Sequence, residues 1–248
     1  MKRKIAILLP FLLLGTVSVA FAASPTDSIL PGIYLGSEST DNVSNTLKII
    51  LLITVLSIAP AILVLMTCFT RIIVVLGFVR NALGTQQIPP NQVLIGLAFF
   101  MTFFIMGPTF SQMNHQALQP FLAGKMTQQE AYKKASVPLK VFMSKQTREK
   151  DLELFIDYGK MKMPKKVEDI PLRALVPAYA ISELKSAFQM GFMIFIPFLV
   201  IDMIVSSVLM SMGMMMLPPV MISLPFKILL FVLVDGWHLI VKSLLMSF

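Results

Sequence analysis

The sequence predicts an all-α membrane protein of four long, kinked apolar helical regions forming two hairpins, with a polar helical insert between them. Three observations lead there. Hydrophobic residues make up 56% of the 248 and charged residues only 14%, with a mean hydropathy of +0.79, whereas a soluble domain is about a quarter charged. Four apolar regions, within residues 47–79, 93–110, 188–211 and 220–246, each approach or exceed the ~20 residues that cross about 30 Å of hydrocarbon. Finally, Pro60, Pro108, Pro197, Pro218, Pro219 and Pro225 sit in or beside these regions. Each proline removes a backbone donor and kinks its helix, and irregular backbone at membrane depth survives only against protein or a wet cavity. The pattern favours broken hairpins packed in an assembly.

At the start of the chain, Lys2, Arg3 and Lys4 precede a short apolar stretch broken by Pro10, and small residues follow at Ala20 and Ala22. That is the layout of a cleaved secretory signal over residues 1–22. Residues 23–46 carry Ser, Thr, Asp, Gly and Pro and read as a polar linker outside the cytoplasm. Residues 47–110 are expected to form the first helical hairpin. Its opening apolar region would make a helix of about 50 Å, too long for one upright crossing, and it contains Pro60 and, near its far end, Arg71. It must tilt, break or leave the bilayer.

Residues 111–187 form the polar helical insert. Thr127 followed by Glu130 fits a capping box opening a short helix, and Leu152, Phe155 and Ile156 give a helical stripe able to dock on the membrane part or a partner. Residues 159–171, "GKMKMPKKVEDIP", read as loop. Residues 188–248 are expected to form the second helical hairpin, turning at "SMGMMMLPP", residues 211–219. Four spans would leave both mature ends and the lysine-rich insert outside. That offends the positive-inside tendency, which fades for loops beyond about 60 residues.

Charges inside the apolar regions need partners, because a central Asp or Lys costs roughly 2.5–3.5 kcal/mol on insertion scales. Asp202, Lys227 and Asp235 lie well inside. With the hairpin midpoint between Met214 and Met215, Asp202 and Lys227 are equally far from the turn and share one depth. A salt bridge is therefore expected, across one hairpin or between neighbouring subunits, rather than an ion or proton relay. Arg71 and Lys242, near segment ends, are read as snorkelling to water or head groups. Trp237, after Asp235, marks an interface.

Several function classes are excluded. Neither His115 nor His238 has a ligand-spaced neighbour, and Cys68 is the one cysteine, so no metal or cofactor is expected. HExxH, GxxxxGK and GxSxG motifs are absent from the sequence, which does not read as an enzyme. The net charge of +8 comes without any fold signature for nucleic acid and points instead to anionic membrane lipid. The chain moves or holds something.

Three stretches then carry a resemblance: "PAYAISELKSAFQMGF", Pro177 to Phe192; "PFKILLFVLVDGW", Pro225 to Trp237; and "FTRIIVVLGFVRNALGTQQIPPNQVLIGLAFFMTFFIMGP", Phe69 to Pro108. With the Met-rich turn, they resemble the FliP family of flagellar export-gate proteins, over nearly the whole mature chain. The injectisome counterparts fit the turn less well. The resemblance implies several copies of this chain which, with FliQ and FliR, form the channel for unfolded flagellar export substrates in the bacterial inner membrane at the basal body, engaged by FlhA and FlhB. It also implies bent hairpins lifted partly out of the bilayer plane, and it places Glu183 and Lys185 at subunit contacts, the alternative for them being a solvated helix start. For such a channel Met212, Gly213, Met214, Met215 and Met216 form a deformable seal, since thioether side chains are flexible and polarizable and an apolar constriction closes by dewetting. The alternatives to a gate are a structural scaffold and a small-solute transporter, and the alternative for the turn is ordinary apolar packing.

Overall fold

A computed structural model describes residues 40–85, 87–214 and 216–248, with side chains from residue 49 onward except Val55 and Ala59. The expected signal peptide and the linker as far as residue 39 lie outside them. All regular structure among the described residues is helical. The chain divides into two compact units, Met1–Ile58 and Ala59–Phe248, each considered by itself.

Helix α1 spans Thr40–Met66 with Pro60 inside. It starts within the stretch read as linker, whose last residues are Asn, Ser and Thr, which open helices as readily as they fill loops. The overlong first apolar region breaks after Met66. Thr67 Oγ1 donates to the Leu63 carbonyl at 2.5 Å and Thr70 Oγ1 to the Val64 carbonyl at 2.7 Å. These hydroxyls satisfy acceptors that the helix end leaves free. Helix α2 follows at Phe69–Ala82 and forms the centre of the second unit: Ile72, Val75, Leu76, Val79 and Ala82 are fully buried.

Helix α3, Asn91–Met113, runs antiparallel to α2, with the Phe69 and Phe99 rings 4.7 Å apart. It extends past residue 110, the end expected for the hairpin, because polar residues that are sound helix formers follow. A π-helical turn, Asn114–Leu118, and a short helix α4, Gln119–Leu122, continue it. Pro120 has no N–H to offer the preceding turn, and the wider turn just before it passes the Gln119 N–H to the Asn114 carbonyl.

The insert contains α5, Gln128–Gln146, and α6, Glu149–Tyr158. The capping box is present in full: Thr127 N–H donates to Glu130 Oε2 at 2.9 Å and Glu130 N–H to Thr127 Oγ1 at 3.4 Å. On α6, Ile156 is buried and Leu152 packs beside Met143, Leu175 and Tyr179. The segment after it is loop apart from a 3₁₀ turn at Val167–Asp169.

Helix α7 runs unbroken for 40 residues, Leu172–Ser211, about 60 Å. The boundary expected at 187 falls inside it, and the helix continues through Pro177 and Pro197 as well. Its first half buries a stripe, Ala174, Ala178, Ser182, Glu183, Ala187 and Gly191, at helical spacing. Its second half leaves Phe192, Met193, Ile196, Met203 and Ile204 exposed. Helix α8, Pro219–Leu233, and helix α9, Gly236–Met246, close the chain at a 64° bend. Ile49–Met66, Asn91–Leu122 and Leu172–Ser211 are long and apolar enough to cross a membrane; the bent α8–α9 pair, taken as one broken span, makes a fourth.

Candidate functional site

The Met-rich turn is built from the end of α7. Gly213 N–H donates to the Met210 carbonyl at 3.0 Å and Met214 N–H to the Leu209 carbonyl at 3.0 Å. This closure needs a left-handed residue, and Gly213 supplies it at φ +76°. A Cβ there would meet open space, so backbone conformation rather than crowding selects the glycine. Pro218 and Pro219 then start α8, where a missing N–H costs nothing. Met216 is 100% exposed and Met212 65%; Met214 is half-buried. Met215 lies outside the described residues.

Behind the turn, Asp202 of α7 meets α8. Lys227 Nζ donates to Asp202 Oδ2 at 2.6 Å and Ser223 Oγ to Asp202 Oδ1 at 2.5 Å. Lys227 and Ser223 stand one helical turn apart, which is why both reach one carboxylate. The pair lies within one hairpin, with the Lys227 side chain 3% exposed and that of Asp202 26%. The turn after α2 closes over it: a Cβ on Gly84 would lie 3.9 Å from Lys227 Nζ and 3.6 Å from Leu224.

The second cluster is centred on Arg71, which does not snorkel. Its side chain is 4% exposed and pairs with fully buried Glu183. Nε donates to Glu183 Oε2 at 2.9 Å and Nη2 to Glu183 Oε1. Nη2 also donates to Gln146 Oε1 at 3.0 Å, and Nη1 to the Ser247 carbonyl at 2.8 Å and Ser247 Oγ at 3.2 Å. The guanidinium has five N–H donors, and these five bonds use them all. The Phe248 ring lies 4.1 Å from the guanidinium carbon, in reach of cation–π attraction. Reading Arg71 as an end residue fails because the chain breaks just before it and α2 turns inward.

A third cluster joins α6 to α7. Ser182 Oγ and Arg148 Nη2 donate to Asp151 Oδ2 at 2.5 and 2.6 Å, and Arg148 N–H donates to Ser182 Oγ at 3.1 Å. The remaining expected residues join no cluster. Lys185 is exposed. Asp235 is exposed at φ +51° at the α8–α9 bend, with no side-chain partner among the described residues.

Sequence reasoning missed Arg71, Gln146, Ser223, Arg148, Asp151 and Ser182. One signal was available: Arg71 lies inside the first apolar region, where the rule that demands a partner for Asp202 demands one for it too.

The architecture defines a class: a helical membrane protein whose helices are tied by ion pairs and hydroxyls, one pair fully buried, presenting a thioether turn. Within that class, residues 52–244 match the FliP family. The chain is 69% identical to the flagellar biosynthetic protein FliP of Bacillus subtilis over 212 residues, covering 86% of this chain and 96% of the relative. It is 47% identical to the Caulobacter vibrioides protein of the same name, over 99% of this chain and 91% of that one, and 46% identical to the Aquifex aeolicus one, over 84% and 87%. The chain belongs to the FliP family.

Proposed function

We propose that the chain is a subunit of the flagellar protein-export gate in the bacterial inner membrane, at the basal body. Several copies, joined by FliQ and FliR and engaged by FlhB and FlhA, surround the path of unfolded flagellar substrates. In this reading the signal over residues 1–22 is cut, both mature ends lie outside, and 47–110 and 188–248 act as hairpins flanking the 111–187 insert. The relatives, named for flagellar biosynthesis, support the setting.

The carrying observation is the turn itself. Met212 and Met216 project from the end of a hairpin whose base is fixed by the Asp202–Lys227–Ser223 bonds. A half-buried pair at the base with flexible side chains at the tip is what a constriction needs, since the frame holds while the rim adapts. Methionines from several copies make the rim a deformable apolar seal, dry when empty and able to repack around passing chains. Glu183 acts in subunit assembly by holding α7 on α2. Lys185 and Asp235 are the exposed charges left for contacts with neighbouring subunits.

Changing Met214, Met215 and Met216 together to Ala tests the seal. Cells carrying the triple variant are expected to leak ions, read as raised membrane conductance with the assembly intact. Unchanged conductance with normal assembly contradicts the seal and favours a scaffold.

A further inference from the structure

We infer that α6 and the loop after it form a head-to-tail contact between neighbouring copies, the acidic face of one α6 receiving the lysine loop of the next. This rests on the oligomeric reading above and names where copies meet. Glu149, Glu153 and Asp157 follow one another at four-residue intervals on α6 and are all exposed, so they form one stripe about 12 Å long. Lys150 is the one cation on this helix. Lys160, Lys162, Lys165 and Lys166, all exposed, follow directly. The described structure gives none of these seven side chains an ion-pair partner. Opposite charges therefore stand without an ion-pair partner on the helix and on the loop that follows it.

The loop is held in place. Met161 N–H donates to the Ile156 carbonyl at 3.0 Å, Arg173 Nε to Met161 Sδ at 3.2 Å, and Lys140 Nζ to the Glu168 carbonyl at 2.7 Å. Ile170 is buried beyond them. With the backbone pinned, docking the lysines costs little ordering entropy. Both faces add apolar area: Tyr158 is 90% exposed and Leu154 59% on the helix, Met163 56% on the loop. A protruding tyrosine beside complementary charge is a common interface anchor. A contact between α6 of one copy and the loop of the next is heterologous, and such a contact builds rings or helical stacks. A second copy is the occupant, since the chain itself carries both charged halves.

Cysteine pairing in the full-length chain tests it, Cys68 being buried. Glu153→Cys together with Lys162→Cys should give a ladder of disulfide-linked multimers on oxidation in membranes, and neither single variant should. Glu153→Lys with Asp157→Lys should weaken association by about tenfold, as exposed pairs become repulsive; adding Lys162→Glu and Lys165→Glu should restore it. The mass of the detergent-solubilised particle is read in parallel. A multimeric mass without a ladder or rescue overturns this contact and leaves the gate reading standing; a monomeric mass in the unaltered protein overturns both. Loss caused by Lys162→Glu with Lys165→Glu alone, and none by Glu153→Lys with Asp157→Lys, assigns the loop to anionic lipid and also overturns the contact.

Discussion

Removing the Arg71 side chain would strip every partner from buried Glu183 and free Gln146 and Ser247 at once. A buried charge left unpaired costs about 3–5 kcal/mol, so Arg71→Ala should fail to assemble or should unfold far more readily in denaturant; unaltered unfolding would contradict the cluster's role. Arg71→Lys should not rescue it, because an ammonium cannot reproduce the five-donor fork. At the other pair, Asp202→Lys should abolish assembly by setting two ammonium groups together behind the turn. Adding Lys227→Asp should partly restore assembly, read as particle yield, and no recovery would contradict the pairing. The Asp202–Lys227 pair was legible because the hairpin's symmetry about the Met turn put both at one depth. The partner of Arg71 was not, because residues 112 apart in sequence share no local pattern.

Among the helices, the seam between α2 and α7 depends on Gly191. A Cβ there would run into the Phe78 ring, which itself packs edge-on against Phe188 at 5.3 Å. Gly191→Leu should separate the helices, costing at least the ~1–3 kcal/mol typical of overpacking, visible as a lowered Tm of the purified chain. The cap of α5 gives a pH prediction. The Thr127 backbone N–H, then its hydroxyl, hold the Glu130 carboxyl below its ordinary value. A depressed carboxyl stabilises the folded state above its unfolded pKa and loses that contribution as pH falls through the folded one. The start of α5 should therefore loosen only in acid below the usual glutamate range, followed by hydrogen exchange of the α5 amides, and Glu130→Gln should remove the dependence. The capping box and the α6 stripe were legible because both are local. The continuity of α7 was not, since a change from polar to apolar composition marks a change of surroundings and not a helix end, and Pro177 and Pro197, which read as interruptions, are carried inside the helix.

At the scale of the molecule, α7 at about 60 Å is roughly twice the depth of a bilayer's hydrocarbon. Its first half is packed by α2, α5 and α6 through Glu183 and Ser182, while its second half exposes Phe192, Met203 and Ile204. One helix thus passes from a protein-packed collar to a surface that needs lipid or neighbouring subunits. The ion clusters fix the collar and the hairpin base, and the Met turn is what they leave free. A density map of the purified, detergent-solubilised assembly tests this most directly. The account predicts that the turns carrying Met212, Met214 and Met216 converge from several copies on one central axis and close it. Turns that point outward into acyl chains at the perimeter, with an open or absent axis, would contradict it.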